Sequence, residues 1–562
     1  MLDLPLFTKY LDNTQNVDPL GTAPVNEALY RSVFPGINNA VRFIRIYSAI
    51  CWMVRQIDQN AAQSSNPDIA ALSAAGLEKI QLLLTWYNVM QGVGALAGAN
   101  RTFPADDEEV ATLRFDALLG SAAARQLESN PDFIVGEGAH YLTAPQYRPS
   151  LVNGLRFLAA STTVANTYLL TEAGEALADA YEDAISDHPW RNWLADLESL
   201  TVTREEVLEM GDMLDLFNPS PGEAKAFLDQ YYPEDGETAI GPHWKQRWAG
   251  LTLALRALDA EQGNVGATEE DIRFTMARGA SRAGIPLNLY GIEEAQGWWA
   301  NLQLRQYLRL ALDTLFRYAQ SWVGDAVNSG RPRDISDCAQ ALGQLLVKAL
   351  PKEHSQSTGS LTAQLMALKG AHDSFYEASP FQPYLQMGGL LDRLLDVCNF
   401  SPRLDDAPMA LREAYIALVF CALEARNLRT NNHVEQQYPN DRLSLTRLQS
   451  LLDEFQEASP AAFLEHVVRY YVLLLHFTVV QERTRDGRNR FVLMLGDKGL
   501  ERVVTKDGLG SAGMLQDRLK HALLLLEQCG LVRGKDGGAY VLTPAGRRRL
   551  KAVEALDMFE AA

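Results

Sequence analysis

The stretch YVLTPAGRRRLKA, residues 540–552, has a second copy far upstream in the chain, YLLTEAGEALADA at residues 168–180. The two copies share Tyr, Leu, Thr, Ala and Gly in register. Each copy is typical of a short strand that runs into a helix, because a Thr side chain can accept a bond from one of the first helical amides, which otherwise lack partners. Pro544 suits the first helical position of the downstream copy, since the amide that proline lacks would have no partner there.

The residues before the downstream copy extend this pattern to a small domain. Residues 514–532 are typical of a helix that Gly530 ends in a left-handed cap. Residues 531–543 are typical of two short strands around a Gly/Asp turn. The order of helix, hairpin and helix resembles the C-terminal half of bacterial winged-helix domains over about 50 residues. Residues 147–180 resemble the same element with a longer wing.

Length, composition and periodicity are typical of a large folded protein. A chain of 562 residues predicts roughly three to four domains, and 47% hydrophobic with 22% charged residues is ordinary for a folded chain. Apolar residues recur at helical spacing in the segments 38–57, 302–327, 409–428 and 461–482, whereas strand signals are few and short. The predicted fold class is mainly α, a multi-domain helical protein with two winged-helix-like α/β modules bracketing a helical middle. Loops rich in Pro, Gly and acids place the predicted domains at residues 1–100 (N-terminal helical region), 101–190 (winged-helix-like module), 191–330 and 331–435 (helical domains) and 436–562 (C-terminal winged-helix domain).

The cysteines and the N-terminal residues predict a cytoplasmic protein. Five cysteines form no C-x-x-C pair, which favours buried thiols in a reducing compartment over a disulfide framework. Residues 1–13 carry acids and Pro5 where a signal peptide needs basic and then apolar residues. The longest apolar run, residues 470–480, is about half the length that crosses a membrane.

Charge is distributed unevenly along the chain. The net charge of -19 argues against a surface that is coated with nucleic acid throughout. Residues 481–562, however, carry 15 Lys and Arg against 11 Asp and Glu. Three arginines at 547–549 follow the start of the last predicted helix, where the helix dipole disfavours each by a few tenths to about 1 kcal/mol. The upstream copy has Glu172 and Glu175 in its first turns, as the dipole favours. The arginines therefore indicate a partner, and phosphate is the natural one.

The sequence thus predicts a surface that contacts double-stranded DNA. Helix 514–529 is the candidate groove reader, the hairpin near Lys535 is the candidate wing, and the arginine-rich loop 481–491 would widen the surface. The predicted nucleic-acid-binding residues are Arg485, Arg488, Arg490, Arg518, Lys520, His521, Arg533, Lys535, Arg547, Arg548 and Arg549. The alternative is a solvated basic face that pairs with acids elsewhere in the chain.

Motifs for familiar chemistry do not occur in the sequence. It contains no P-loop, no H-E-x-x-H, no Cys/His cluster at zinc spacing and no G-x-S-x-G nucleophile elbow. Asp497, Glu501 and Lys506 have no recognised nuclease spacing, and a charged hairpin edge is the expectation there. The sequence therefore predicts no catalytic residue, no metal and no cofactor.

Three functional hypotheses follow. The first is a non-enzymatic bacterial DNA-associated accessory protein, whose C-terminal winged helix contacts duplex DNA and whose acidic helical body docks other protein subunits. Fold-level analogy extends this hypothesis to DNA-maintenance or antiviral defence complexes. The second is a scaffold that uses its winged helices only for protein docking. The third is an enzyme without a recognised motif, because catalytic residues need only converge in space.

Overall fold

The computed structural model describes most of the chain, and helices dominate what it describes. The described residues are 18–37, 42–94 apart from residue 66, 96, 112–114, 147–234 apart from residue 200, 243–371 apart from residue 264, 404–426, 428, 431–438, 441–483, 492–503 and 517–560. The predicted mainly α fold class is confirmed. The winged-helix assignment of the two modules stays a prediction.

The elements are numbered in chain order. The helices are α1 (Ala23–Val33), α2 (Ile44–Gln63), α3 (Ile69–Met90), α4 (Glu172–Ile185), α5 (Arg191–Ala195), α6 (Arg204–Glu209), α7 (Gly211–Leu214), α8 (Pro221–Tyr231), α9 (Trp244–Glu261), α10 (Glu269–Arg278), α11 (Glu293–Ser329), α12 (Ile335–Val347), α13 (Thr358–Ala371), α14 (Ala407–Ala425), α15 (Asn431–Gln437), α16 (Leu445–Glu454), α17 (Pro460–Val467), α18 (Leu474–Arg483), α19 (Leu519–Gln528) and α20 (Pro544–Glu560). Two π-helical segments lie at Pro149–Gly154 and Val468–Leu473, and short 3-10 turns lie at Lys352–His354, Leu404–Asp406 and Asp536–Gly538. The strands are β1 (Thr112–Arg114), β2 (Leu158–Ala160), β3 (Tyr168–Leu170), β4 (Thr201–Thr203), β5 (Ala267–Thr268), β6 (Leu493–Gly496), β7 (Gly499–Arg502), β8 (Val532–Gly534) and β9 (Ala539–Leu542).

The chain forms two compact units, and each is built from two stretches of sequence. Unit 1 consists of Met1–Tyr30 and Gly297–Leu515. Unit 2 consists of Arg31–Gln296 and Gln516–Ala562, so it contains both copies of the repeated pattern. The predicted C-terminal domain, residues 436–562, is divided between the two units.

The two copies of the repeat have the same local geometry. The side chain of Thr171 accepts a hydrogen bond from the amide of Gly174 (3.2 Å), and that of Thr543 accepts one from the amide of Gly546 (3.0 Å). Each threonine directly follows an antiparallel hairpin, β2–β3 in the upstream copy and β8–β9 in the downstream copy. The predicted caps and hairpins are therefore confirmed.

The downstream copy is completed by residues from far upstream in the sequence. β9 pairs with β5 as well as β8, so the sheet order is β5-β9-β8. The backbone amide of Leu542 donates to the side-chain oxygen of Gln262 (2.7 Å), and α9 packs against α10, β9 and α20. We call α9, β5, α10, α19, β8, β9 and α20 the C-terminal module. Its sheet needs residues on both sides of the long stretch that forms most of unit 1.

The upstream copy also belongs to a larger group of helices. Helix α2 packs against α3, α4 and β3, and the hydroxyl of Tyr47 on α2 is 2.6 Å from that of Ser150. We call α2, α3, the π-helical segment Pro149–Gly154, β2, β3 and α4 the N-terminal module. The guanidinium of Arg45 on α2 is buried against the carboxylate of Glu223, with N–O distances of 2.9 and 2.8 Å, and also donates to backbone carbonyls. Helix α2 is therefore a core helix whose buried charge is fully hydrogen-bonded.

Unit 1 contains the apolar helical run Pro460–Glu482. By length and composition alone this run could cross a membrane, although the sequence pattern predicted no such span. Most of its apolar window is buried, and α17 packs against α12. Toward the C-terminal end of the run, His476 donates from Nδ1 to the carbonyl of Pro19 (3.1 Å) and accepts from the amide of Leu493 (3.3 Å). Burial lowers the pKa of His476 to about 4. Much of this run is therefore packed inside unit 1.

Helix α11 carries charged side chains inside unit 1. Arg309 and Asp313 are both buried, and their N–O distance is 3.6 Å. Burial raises the pKa of the Asp313 carboxyl to about 7, although the positive charges of Arg309 and Arg317 act in the opposite direction. Desolvation therefore outweighs the ion pair at this site.

We expect Asp313→Asn to change how stability depends on pH. A carboxyl whose pKa is raised in the folded state destabilises the fold as pH rises from about 4 to about 7, because the folded state holds the proton more tightly. The variant should match the wild type near pH 4 and exceed it at pH 8 by roughly 1–4 kcal/mol in the free energy of unfolding. Urea denaturation at both pH values measures this. A constant difference between the two proteins at both pH values would show that Asp313 does not titrate in this range.

We expect Gly546→Ala to destabilise unit 2 by about 2–4 kcal/mol. A Cβ at this position would lie 2.1 Å from the carbonyl oxygen of Leu531, a backbone atom that cannot move aside without disturbing β8. Gly222→Ala on α8 is the matched control, since its nearest contact would be an ordinary 3.6 Å. The control should leave stability unchanged or raise it by up to about 1 kcal/mol. Equal thermal melting temperatures for the two variants would contradict the close approach.

Candidate nucleic-acid interface

The eleven predicted binding residues fall into three groups. Those outside the described residues are Arg485, Arg488 and Arg490. Those that are buried are Arg518, His521 and Arg549, each less than one tenth exposed. Those that are exposed are Lys520, Arg533, Lys535, Arg547 and Arg548.

The two buried arginines connect the C-terminal module to the rest of unit 2. The guanidinium of Arg518 donates to the carbonyl oxygen of Ile37. The guanidinium of Arg549 donates to the carbonyl oxygen of Tyr232 and lies 3.3 Å from the carboxylate of Glu234. Because these cations are enclosed by protein, a duplex at the surface does not reach them. The same holds for His521, which lies on the buried side of α19.

Arg547 has an acidic neighbour that the local sequence does not show. Its Nε lies 3.9 Å from the carboxylate of Asp259 on α9, and both side chains are about half exposed. In the N-terminal module, Arg55 on α2 binds Glu175 and Asp179 on α4 at 2.8 and 2.7 Å. Glu175 is the position equivalent to Arg547 in the repeat. The first and last helices are thus paired in both modules with the charges exchanged, which offsets the unfavourable helix dipole without any external partner.

Helix α19, the candidate groove reader, presents little polar surface. A groove-reading helix needs several exposed polar side chains along one face. Within α19, which the structure describes throughout, Lys520 alone is exposed. The side chain of Gln528 accepts a hydrogen bond from the amide of Ile44 (2.8 Å) and donates to the carbonyl of Arg42 (3.1 Å). The C-terminal turn of α19 is therefore occupied by the chain itself.

The N-terminal module exposes polar residues that are not among the eleven predicted binding residues. Arg148, Asn153 and Arg156 are exposed on and beside the π-helical segment, and its hairpin exposes Thr162, Thr163 and Asn166. Arg156 has φ +55° and is the counterpart of Gly530, which has φ +73°. A left-handed conformation costs a residue with a side chain roughly 1 kcal/mol. Two sequence signals could have found this surface: Arg in place of the cap Gly, and the absence of Asp and Glu from residues 138–171.

The described residues offer no arrangement for familiar catalysis. No group of three or more His, Cys, Asp or Glu side chains that could hold a metal occurs in this part of the chain. Burial raises the pKa of the Cys51, Cys338 and Cys421 thiols, which keeps them protonated. Burial lowers the pKa of Lys79 to about 7, but its ammonium donates to the carbonyls of Trp193 and Asp196 (2.7 and 2.8 Å) and so closes the end of α5.

Comparisons with protein-family models, curated proteins and solved structures found no match to this chain.

We expect Arg156→Gly to leave the protein as stable as the wild type or to stabilise it by up to about 1 kcal/mol, because glycine adopts a left-handed conformation without strain. Arg148→Gly is the control, since Arg148 has a helical conformation (φ -54°), in which glycine costs about 0.5–1 kcal/mol. Thermal unfolding of the two variants compares them. A loss of stability in Arg156→Gly that equals the control's would mean that the Arg156 side chain supports the fold.

Proposed function

We propose that this protein is a non-enzymatic bacterial DNA-associated accessory protein. Its C-terminal module binds the phosphate backbone of duplex DNA through the wing and the last helix, and its acidic helical body docks other protein subunits. The observation that carries the proposal is the exposure of Arg533, Lys535 and Arg548 on one module of a chain with a net charge of -19. A cytoplasmic location and a role in DNA maintenance or antiviral defence belong to the same proposal by fold-level analogy.

The hairpin β8–β9 directs two cations to solvent. Successive residues of a strand face opposite sides of a sheet, and Val532 is buried opposite Leu542 while Arg533 is exposed opposite Val541. Lys535 follows at the turn, where its amide donates to the carbonyl of Ala539 (2.7 Å) and holds the hairpin closed. β8 is also an edge strand of its sheet, and the amide of Gly534 on this edge donates to the side chain of Glu527 (2.7 Å).

The last helix adds two exposed cations to those of the wing. Arg548 and Lys551 are exposed and three positions apart, which places them on one face of α20. Neither forms an ion pair with any residue that the structure describes. Contacts of this kind bind phosphates irrespective of base sequence, because arginine and lysine meet the backbone and not the base edges. The binding proposed for the C-terminal module is therefore sequence-independent and weakened by salt.

We expect the intact protein to bind a labelled duplex of about 30 base pairs with an affinity that falls steeply between low and moderate salt. Arg533→Ala/Lys535→Ala/Arg548→Ala should weaken binding at least about tenfold and reduce the salt dependence. Lys225→Ala/Lys245→Ala/Lys352→Ala is the matched control, because it removes the same charge from exposed positions elsewhere. Fluorescence anisotropy measures all three proteins. Equal losses in both triple variants would indicate a general charge effect, and no binding by the wild type would remove the proposal.

The covering of α19 favours a second candidate function. Gln528 bonds the end of this helix to the amide of Ile44, so the helix that would read a DNA groove instead packs against the rest of unit 2. Winged helices that pack in this way are suited to protein contacts. A protein scaffold that does not bind DNA is the function that remains if the wild type fails the duplex titration.

A further inference from the structure

We propose that the N-terminal module carries the groove-contacting surface of this protein. The surface consists of Arg148, Asn153 and Arg156, together with the wing at residues 161–167, and its ligand is duplex DNA. This inference deepens the proposed function and rests on its claim that the chain binds DNA. The inferred groove-contacting surface lies in a different module from the groove reader that the sequence predicts, which is α19.

One side of the π-helical segment is anchored and the other is open. The hydroxyl of Ser150 lies 2.6 Å from that of Tyr47 and donates to the carbonyl of Gly36 (2.5 Å), while Leu151 and Leu155 are fully buried. A Cβ on Gly154 would lie 2.2 Å from the Cα of Gly36, so backbone packs directly on backbone on this side. The π-helical segment is the third helix of the N-terminal module, as α19 is of the C-terminal module. It is thus held rigidly, while Arg148, Asn153 and Arg156 remain exposed on its solvent side.

The segment that carries this surface is basic although the chain as a whole is acidic. Arg148 and Arg156 form no ion pair with any residue that the structure describes. The nearby acids on α4 are accounted for in part, because Arg55 binds both Glu175 and Asp179. Glu172, beside Thr171, is also exposed. Within residues 138–171, two arginines and no Asp or Glu give a local excess of positive charge, which attracts phosphate.

The exposed residue types are those that contact DNA in grooves. Arginine binds guanine or phosphate through two parallel N–H groups, and asparagine pairs with adenine in the same two-bond manner. The exposed hydroxyl and amide groups of the wing, from Thr162, Thr163 and Asn166, are of the kind that contact phosphate oxygens. The side chains of the third helix and of the wing therefore supply both base-reading and backbone-contacting groups.

The comparison of the two modules supports this assignment. The third helix of each module is followed by its hairpin. At this junction the C-terminal module has Gly530 and the N-terminal module has Arg156, and both residues have positive φ. A glycine satisfies this conformation without strain, so the arginine is placed there against the local preference. Near the end of this helix, Gln528 of the C-terminal module is hydrogen-bonded to the amide of Ile44, whereas Asn153 of the N-terminal module is exposed.

The test is duplex binding by the full chain with Arg156→Gly, Arg148→Ala and the two combined. Arg156→Gly removes the cation without adding backbone strain, so we expect the variant to stay folded, and thermal melting of the same samples checks that a loss of affinity does not come from unfolding. We expect each single variant to bind about tenfold more weakly than the wild type and the double variant to bind more weakly still. Arg282→Ala, which removes one exposed charge from unit 2, should stay within about twofold of the wild type.

Two further results separate this inference from the proposed function. Asn153→Ala should change the ranking of duplexes of different sequence while leaving the salt dependence nearly unchanged, as expected for a base contact. If Arg148→Ala/Arg156→Gly binds like the wild type while the Arg533, Lys535 and Arg548 triple variant loses binding, the N-terminal surface is overturned and the proposed function stands. If the pattern is the reverse, the N-terminal surface is supported and the C-terminal contacts are overturned. No binding by the wild type at low salt would overturn both.

Discussion

The pairing of β9 with β5 is the contact on which the C-terminal module depends. It joins Ala267 to Tyr540 and Thr268 to Ala539, and the hydrogen bond from Leu542 to Gln262 extends it. A long stretch of chain separates β5 from β9, but the entropic cost of closing this loop grows only with the logarithm of its length. The pairing places α20 beside α9, which brings Arg547 near an aspartate and encloses Arg549. The basic character of the chain's end is therefore reduced by its own fold.

The two modules share a backbone design and differ in their surfaces. In both, a threonine caps the last helix, and a glycine three residues later lets that helix touch the start of the hairpin, where a Cβ would lie about 2 Å from the carbonyl oxygen of Phe157 or Leu531. These contacts involve backbone atoms and tolerate little change. The ion pair between the first and last helices tolerates exchange of its charges, because a half-exposed pair contributes at most about 1 kcal/mol in either orientation. The shared positions therefore specify the fold, and the variable ones specify what each module can bind.

Buried charge has different consequences in the two units. Arg45 and Glu223 satisfy each other's hydrogen bonds and also bind backbone groups, so the pair is stable once formed. Asp313 meets Arg309 at a longer distance, and desolvation dominates its pKa. The number of hydrogen bonds around each carboxylate, and not burial alone, decides whether a buried charge stabilises the protein.

The sequence by itself determined the local elements. Thr543, Pro544 and Gly530 act on amides and carbonyls within a few positions, so the cap, the helix start and the left-handed end were all predictable. The sequence did not show which of the predicted cations are free to bind a ligand, because burial and partner charges come from distant residues. Arg518 contacts a carbonyl 481 positions away, and Arg549 contacts one 317 positions away. The hairpin cations Arg533 and Lys535 were predictable as exposed, since strand alternation and a turn decide their direction. The sequence shows that Arg148 and Arg156 lie in a segment without Asp or Glu, but only the tertiary structure shows that the helix between them is anchored on one side and open on the other.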